Sequence, residues 1–454
     1  MSCTMQVVLI LSAVFCSSMF AEEPVITVLD NGLTVITQEL HYAPVIASVV
    51  AYGAGSRNES GADLGISHFC EHMMFKGTAE MPYGRFWQIV QRDGGFSNAM
   101  EGRDVTYYYL MLPSTRVEDA LIIESDRMVN CLMDSAEVVS EINVVHEERR
   151  MNNIDSADGA LLEALYGMVY TEHPYGKPVL GYDENILGYS HHMVREFYET
   201  YYCPSNAVLT IVGDFNTQEL LAMVEDYFGG IPAGNVAAEY VAAEPQQTEP
   251  GYVEIDHTSN LQRFALSFRS TSGTCPANPA MTMIAVYLSS GRSGRLSQLL
   301  LDTELVYGAW AFKDNDVDPG LFTIYVTMNP AEEGGTTIDD ISSIIWSELD
   351  DLAANGISEE VLDELRNKHR AREILNSSYP LSLATGYCLS FSKFGNPLYR
   401  AEQMELMEQL TSEDIRLAAS TYFTRDAVNL AVLIPSEDGG AGGISGQDLP
   451  TGVQ

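Results

Sequence analysis

A segment near residue 200 is echoed near residue 421, and this repetition limits the chain more than anything else in it. Thr200-Tyr201-Tyr202 leads through a Cys-Pro-Ser-Asn turn into an apolar run, and Thr421-Tyr422-Phe423, 221 residues later, leads through a turn into another. That offset is half of the 454-residue chain. It is far longer than a solenoid repeat and implies a duplicated domain. Length alone already exceeds one ordinary core. The competing reading is two unrelated helix–turn–strand units. Within the first half, runs at 25–29, 33–38, 45–51, 104–112 and 208–213 read as strands, with Asp30-Asn31-Gly32 as a hairpin turn. Runs at 83–93, 117–131, 136–151, 160–170 and 192–202 read as helices. Strands and helices mixed in this way indicate an α+β fold. The expected organisation is a first unit at 22–231, an Ala/Pro/Glu/Gln-rich linker at 232–251, a homologous second unit at 252–435 and a disordered Gly-rich tail at 436–454.

Composition narrows the partners. Against 24 basic residues stand 63 acidic ones, a net charge of −39. Such a surface repels nucleic acid and anionic membranes. It favours solubility and basic ligands, and a salt-rich habitat would explain it equally. Residues 1–21 read as a signal peptide, because the apolar run Val7 to Phe20 is too short to span a bilayer comfortably. Its first residues carry no Lys or Arg, and Met19 stands where a small residue usually precedes cleavage after Ala21. The expectation is a periplasmic or secreted protein, with a cytoplasmic one as the alternative. No other segment is long and apolar enough to span a membrane. Cys3 and Cys16 belong to the leader, and the remaining five cysteines form no disulfide framework.

The chemistry is concentrated in His68-Phe69-Cys70-Glu71-His72. On a helix, two imidazoles four apart lie on one face and can close on one metal ion. Glu71, three after His68, leans over the same face. This is H-x-x-E-H, the inversion of H-E-x-x-H. Neutral imidazoles suit zinc, and a neighbouring carboxylate that does not bind it suits a general base. The bland alternative is two surface histidines on a solvated helix. The neighbours oppose it: Ile66, Phe69, Met73 and Met74 make the helix too apolar for solvent, and a buried polar trio needs partners. Asp63 is the expected N-cap and Gly77 the expected stop. Cys70 faces away and reads as a small buried hydrophobe. A catalytic zinc needs a third protein ligand. On the 136–151 helix, Glu141 and Glu148 are two turns apart and share a face with Val144. Pattern alone does not choose between them.

The stretch Gly65-Ile-Ser-His-Phe-Cys-Glu-His-Met-Met-Phe-Lys-Gly-Thr78 resembles the active-site helix of the pitrilysin/insulysin metallopeptidases, which include mitochondrial processing peptidase. Ser97-Asn98-Ala99 with Asp104-Val-Thr-Tyr107, His173-Pro-Tyr-Gly176 and Tyr202-Cys-Pro-Ser-Asn-Ala207 extend the similarity, which runs over about residues 25 to 435. The resemblance implies Glu148 as the third ligand, Glu141 as its supporting carboxylate and Glu71 as the base. It places Asn98 and Ala99 on a strand that pairs with an extended substrate. It implies one zinc per chain and two homologous units, each a mixed sheet packed by helices, facing each other across a cavity. One departure stands out. The family's second unit usually carries an arginine seven residues before a substrate-contacting tyrosine; here Tyr307 is present, but Leu300 stands at the arginine's place, and Arg292 and Arg295 have the wrong spacing. This implies a homodimer, or a heterodimer with a paralogue bearing the Arg/Tyr pair. The expected activity is zinc-dependent hydrolysis of peptides or unfolded polypeptides, with Glu71 taking the proton of the attacking water. The rival is a non-catalytic core-type subunit or a peptide-binding protein. Asp314-Asn-Asp-Val-Asp-Pro-Gly320 imitates the start of a calcium loop, but Pro319 and Tyr325 occupy positions that need Gly and Glu, so a solvated turn is expected.

Overall fold

A computed structural model describes residues 23–236, 241–330 and 335–436. The expected leader and nearly all of the expected tail lie outside the described residues, as do 237–240 of the expected linker. The first sheet holds β1 (Val25–Val28), β2 (Thr34–Glu39), β3 (Val45–Tyr52), β4 (Phe96–Glu101), β5 (Thr106–Pro113) and β6 (Ala207–Gly213), in the order β1-β2-β6-β3-β5-β4. The second holds β7 (Gly251–His257), β8 (Arg263–Arg269), β9 (Val306–Lys313), β10 (Leu321–Met328) and β11 (Val428–Pro435), in the order β7-β11-β8-β10-β9. Without β1 the two orders coincide. In each sheet one pairing is parallel, β2 with β6 and β7 with β11, and the others are antiparallel. The fold is α+β and duplicated, and β6 and β11 are the apolar strands of the repeated segment.

The helices repeat as well. The first half carries α1 (Ile66–Met73), α2 (Arg85–Arg92), α3 (Val117–Asn130), α4 (Ser135–Arg149), α5 (Ala157–Val169), α6 (Asp183–Gly188), α7 (His191–Tyr201) and α8 (Thr217–Phe228). The second carries α9 (Asn278–Ser289), α10 (Ile338–Asn355), α11 (Glu359–Ser377), α12 (Pro380–Phe394), α13 (Tyr399–Gln409) and α14 (Ser412–Tyr422). Helices α3 to α7 connect β5 to β6, and α10 to α14 connect β10 to β11. The middle helix of each series packs on the other half. Leu161 and Leu165 of α5 pack against Val253, Ala265 and Leu433 of the second sheet. Ala384 and Cys388 of α12 pack against Ile36, Ala47, Val49 and Val208 of the first. The physical reason lies in the strands. Every residue of β6, and all but the first of β3, is buried, so both faces of that sheet need a cover. Each half therefore completes the other's core. Between them remains a cavity of about 640 Å³, lined by Tyr107 and Tyr109 of β5 and by Thr385, Leu389 and Lys393 of α12.

The loop at 314–320 is not the solvated turn its composition implied. Asp316 accepts from Arg103 at 3.1 Å and Lys393 at 2.9 Å, and Asp318 pairs with Arg57 at 2.7 Å and His173 at 3.1 Å. Asp314 accepts from the Tyr166 hydroxyl at 2.8 Å. From the first half, the buried Asp104 accepts the backbone N–H of Val317 at 3.0 Å and the Tyr175 hydroxyl at 2.6 Å. The aspartates thus form a partly buried charged seam between the halves, with protein cations in the place of a metal.

Candidate metal centre

Helix α1 is anchored by its apolar face. Ile66, Phe69, Cys70 and Met73 are buried in the first core. Burial of such side chains contributes about 1.5–3 kcal/mol each. The Cys70 thiol faces the Val194 carbonyl at 3.7 Å, away from the imidazoles. The helix starts differently from expectation. Asp63 does not cap it; the buried Glu59 carboxylate does, accepting from the amides of Gly65 at 2.6 Å and Ser67 at 2.7 Å. Burial, partly offset by these amides, lifts Glu59 to about 7. Gly65 has φ +87°, and a Cβ there would lie 2.2 Å from the Leu180 carbonyl oxygen, so glycine is required. The helix ends at Met73, before Gly77.

Helix α4 supplies the carboxylates. Asp134 caps it by accepting from Ala136 and Glu137. Just past Glu148 it loosens into a π-turn, Arg150–Ile154, a feature frequent at functional sites. The two helices bring His68, His72 and Glu148 together, with one potential ligand atom from each within 4.8 Å of the others. Glu148 Oε2 lies 3.4 Å from His68 Nε2 and 3.2 Å from His72 Nε2. Glu141 occupies a different position. It is 4% exposed and accepts from His72 Nδ1 at 2.9 Å, which turns Nε2 toward the shared point. Two imidazoles and a carboxylate converging on one point, with a further carboxylate orienting one ring, fit the donor set of zinc.

Glu71 stands beside this trio, 3.7 Å from His68 Nδ1. Burial raises its carboxyl above the ordinary range, and Glu148 adds to the rise, although the two imidazoles pull against it. A raised pKa makes a carboxylate a stronger base. Asn98 and Ala99 lie on β4, which among the described residues pairs only with β5 and leaves its other edge open next to α1. Tyr307 lies on β9, the edge strand of the other sheet, and is 72% exposed. Leu300 is fully buried in the second core, and Arg295 is held by Glu348 at 2.8 Å.

Sequence reading missed three supporting residues. Lys76 forms an ion pair with Glu141 and approaches Glu137 at 3.8 Å. It lies just past the end of α1, outside the helical spacing that relates His68, Glu71 and His72. Glu59 and Glu101 gave no periodic signal either. Burial raises the Glu101 carboxyl well above the ordinary range, and repulsion from Glu59 and Glu71 adds to it.

In the metal-free protein, burial pulls the His72 imidazole down, but its hydrogen bonds to Glu141 and Glu148 outweigh this and raise it to about 9. At neutral pH the ring holds a proton that a metal must displace. Zinc affinity is therefore expected to rise with pH up to about 9 and to level off above it. Chelator-competition titrations one pH unit apart near neutrality should differ about tenfold. Equal affinities would contradict this protonation state.

Residues 34–183 match the family model for insulinase, peptidase family M16, and residues 189–368 match the model for the M16 peptidase inactive domain. The zinc protease PqqE of Helicobacter pylori is 26% identical over 403 residues, covering 87% of this chain and 89% of that protein. A probable mitochondrial-processing peptidase subunit beta of Arabidopsis thaliana is 25% identical over 430 residues, covering 92% and 80%. The crystal structure of a protease from Helicobacter pylori superposes with a TM-score of 0.85 at 25% identity, over 91% of this chain and all of that one.

Proposed function

The chain belongs to the insulinase family of peptidases, family M16, and from that premise we propose that it is a zinc-dependent endopeptidase acting on peptides or unfolded polypeptides. The observation that carries the reading is the convergence of His68, His72 and Glu148, with Glu71 in the wall and an open strand edge alongside. Zinc, when bound, supplies Lewis-acid polarisation of the scissile carbonyl and lowers the pKa of water. The chain's own residues do the rest. His68, His72 and Glu148 hold the metal, one per chain, and Glu141 fixes the His72 ring. The outer edge of β4, through the backbone at Asn98 and Ala99, pairs with the substrate main chain, so selection by sequence is loose. Glu71 takes the proton of the attacking water on its carboxylate and returns it to the leaving amine.

Leu300 supplies no cation at the place where relatives of this type usually carry one, and Tyr307 is displayed at an exposed edge. A second copy, or a paralogue with the Arg/Tyr pair, completes the substrate site. Among the described residues no helix is long and apolar enough to cross a membrane. Export to the periplasm or beyond is part of the proposal, through the leader at 1–21.

The test is hydrolysis of a quenched, unstructured peptide by the purified chain, with and without chelator, its mass followed by ultracentrifugation. Chelator-sensitive cleavage is expected. A full-strength monomer would remove the partner from the proposal. No cleavage by the zinc-loaded chain, alone or with a co-expressed paralogue, would favour the core-subunit or peptide-binding reading.

A further inference from the structure

Helix α12 has two faces. Ala384 and Cys388 pack on the first sheet. Ser382, Thr385, Leu389 and Lys393 follow at i, i+3, i+7 and i+11, which gathers them on the other side, along the cavity of about 640 Å³. Tyr107 and Tyr109 of β5, stacked with ring centroids 6.1 Å apart, give that cavity an aromatic wall. Packing does not explain the polar part of the lining. Ser390 is 7% exposed, yet its hydroxyl makes no hydrogen bond among the described residues, and those of Ser382 and Thr385 make none either. A buried hydroxyl ordinarily has a partner. Lys393 and Arg400 line the cavity and, among the described residues, no carboxylate does, in a chain with 63 acidic residues against 24 basic ones. Lys393 is already engaged, with Asp316 at 2.9 Å and Asp104 at 3.3 Å. Arg400 is engaged on one side only. Its Nη2 donates to Glu373 at 2.8 Å, while Nη1 lies beside Gly386, where a Cβ would stand 3.6 Å from it.

We propose that this cavity binds a carboxylate carried on an apolar or aromatic body. Arg400, with the hydroxyls of Thr385 and Ser390, holds the carboxylate through charge-assisted hydrogen bonds. Tyr107, Tyr109 and Leu389 cover the body. One half-engaged guanidinium matches a single negative charge; a phosphate dianion lacks a second cation, because Asp104 and Asp316 hold Lys393. The carboxylate has two possible sources. It is the C terminus of a peptide substrate, which rests on the peptidase reading, or it is a free acid, which does not. The register makes the first reachable. Tyr107 and Tyr109 pair with Met100 and Asn98 of β4, so the aromatic wall stands one strand behind the open edge. A peptide paired on that edge lies roughly 10 Å away, a span of about three extended residues. Phe96 and Met100, exposed on the same face of β4, line the way.

The experiment begins with titration calorimetry on the full chain. N-acetylphenylalanine is expected to bind about tenfold or more tighter than its amide, the effect of losing a charge-assisted hydrogen bond. Arg400→Gln should bring acid and amide to equal affinity. Gly386→Leu, which fills the cavity and leaves every charge in place, should abolish binding of both. Neither substitution should change zinc content. Equal affinity of acid and amide in the unaltered chain, no binding of either, or a preference that survives both substitutions overturns the site. Phenyl phosphate binding tighter than the acid overturns the choice of a carboxylate. A quenched, unstructured peptide with a free or an amidated C terminus then reads the source. A higher kcat/KM for the free form, lost in Arg400→Gln, assigns the site to the substrate's C terminus. Equal cleavage of the two forms, with the acid still bound, assigns it to a free acid. Cleavage of neither, with the acid still bound, overturns the peptidase reading and leaves the site standing.

Discussion

Glu71→Gln is expected to lower kcat/KM for an unstructured peptide by roughly 10²–10⁴-fold, the range contributed by a positioned acid–base group. The amide is nearly isosteric with the carboxylate, so the packing around Glu71 is kept. What disappears is the capacity to take a proton. Because Glu71 stands outside the trio of converging ligand atoms, zinc content by mass spectrometry should stay at that of the wild type. Thermal stability should hold or rise, since the substitution removes a carboxylate that repels the buried Glu101. Retention of more than a small fraction of turnover would sink the assignment of the base. Loss of zinc would make Glu71 a ligand instead.

Glu148→Gln should produce the largest loss of metal. Its carboxylate is the one placed against both imidazoles, at 3.4 and 3.2 Å. Glu141→Gln should weaken zinc binding less, by about 10–100-fold, the usual effect of losing a partner that orients a ligating histidine. The difference follows from geometry: Glu141 meets His72 at Nδ1, the nitrogen turned away from the shared point. Chelator competition at fixed pH, run on both variants, reads the order directly. A larger loss in Glu141→Gln would exchange the two roles. This measurement answers what the spacing of two glutamates on one helix left open.

The parts of the site that could be read from the chain are those held by local periodicity. His68, Glu71 and His72 share a face because one helix carries them, and Glu141 and Glu148 share another for the same reason. Helix α8 also left a signal, since Asn216 accepts from the Glu219 amide at its start. Glu59 was not readable. It caps α1 from outside the helix, across a bend set by Gly65 against Leu180, where no periodic pattern runs. The acidic loop was misread because composition does not reveal which cations will face it; Arg57, Arg103, His173 and Lys393 arrive from distant segments.

The echo between residues 200 and 421 was sufficient to predict two similar units, because equal helix–turn–strand patterns make equal local structure. Both sheets carry that pattern as a parallel pairing, β2 with β6 and β7 with β11. How the halves join was beyond its reach. The exchange of α5 and α12 depends on covering two apolar sheet faces at once, and such a cover is chosen by long-range packing between distant chain segments, as in the contact of Cys388 with Val208, 180 residues apart. The same distinction holds at the metal centre: helical spacing selected the residues, and the packing of α1 on α4 determined which carboxylate faces both imidazoles.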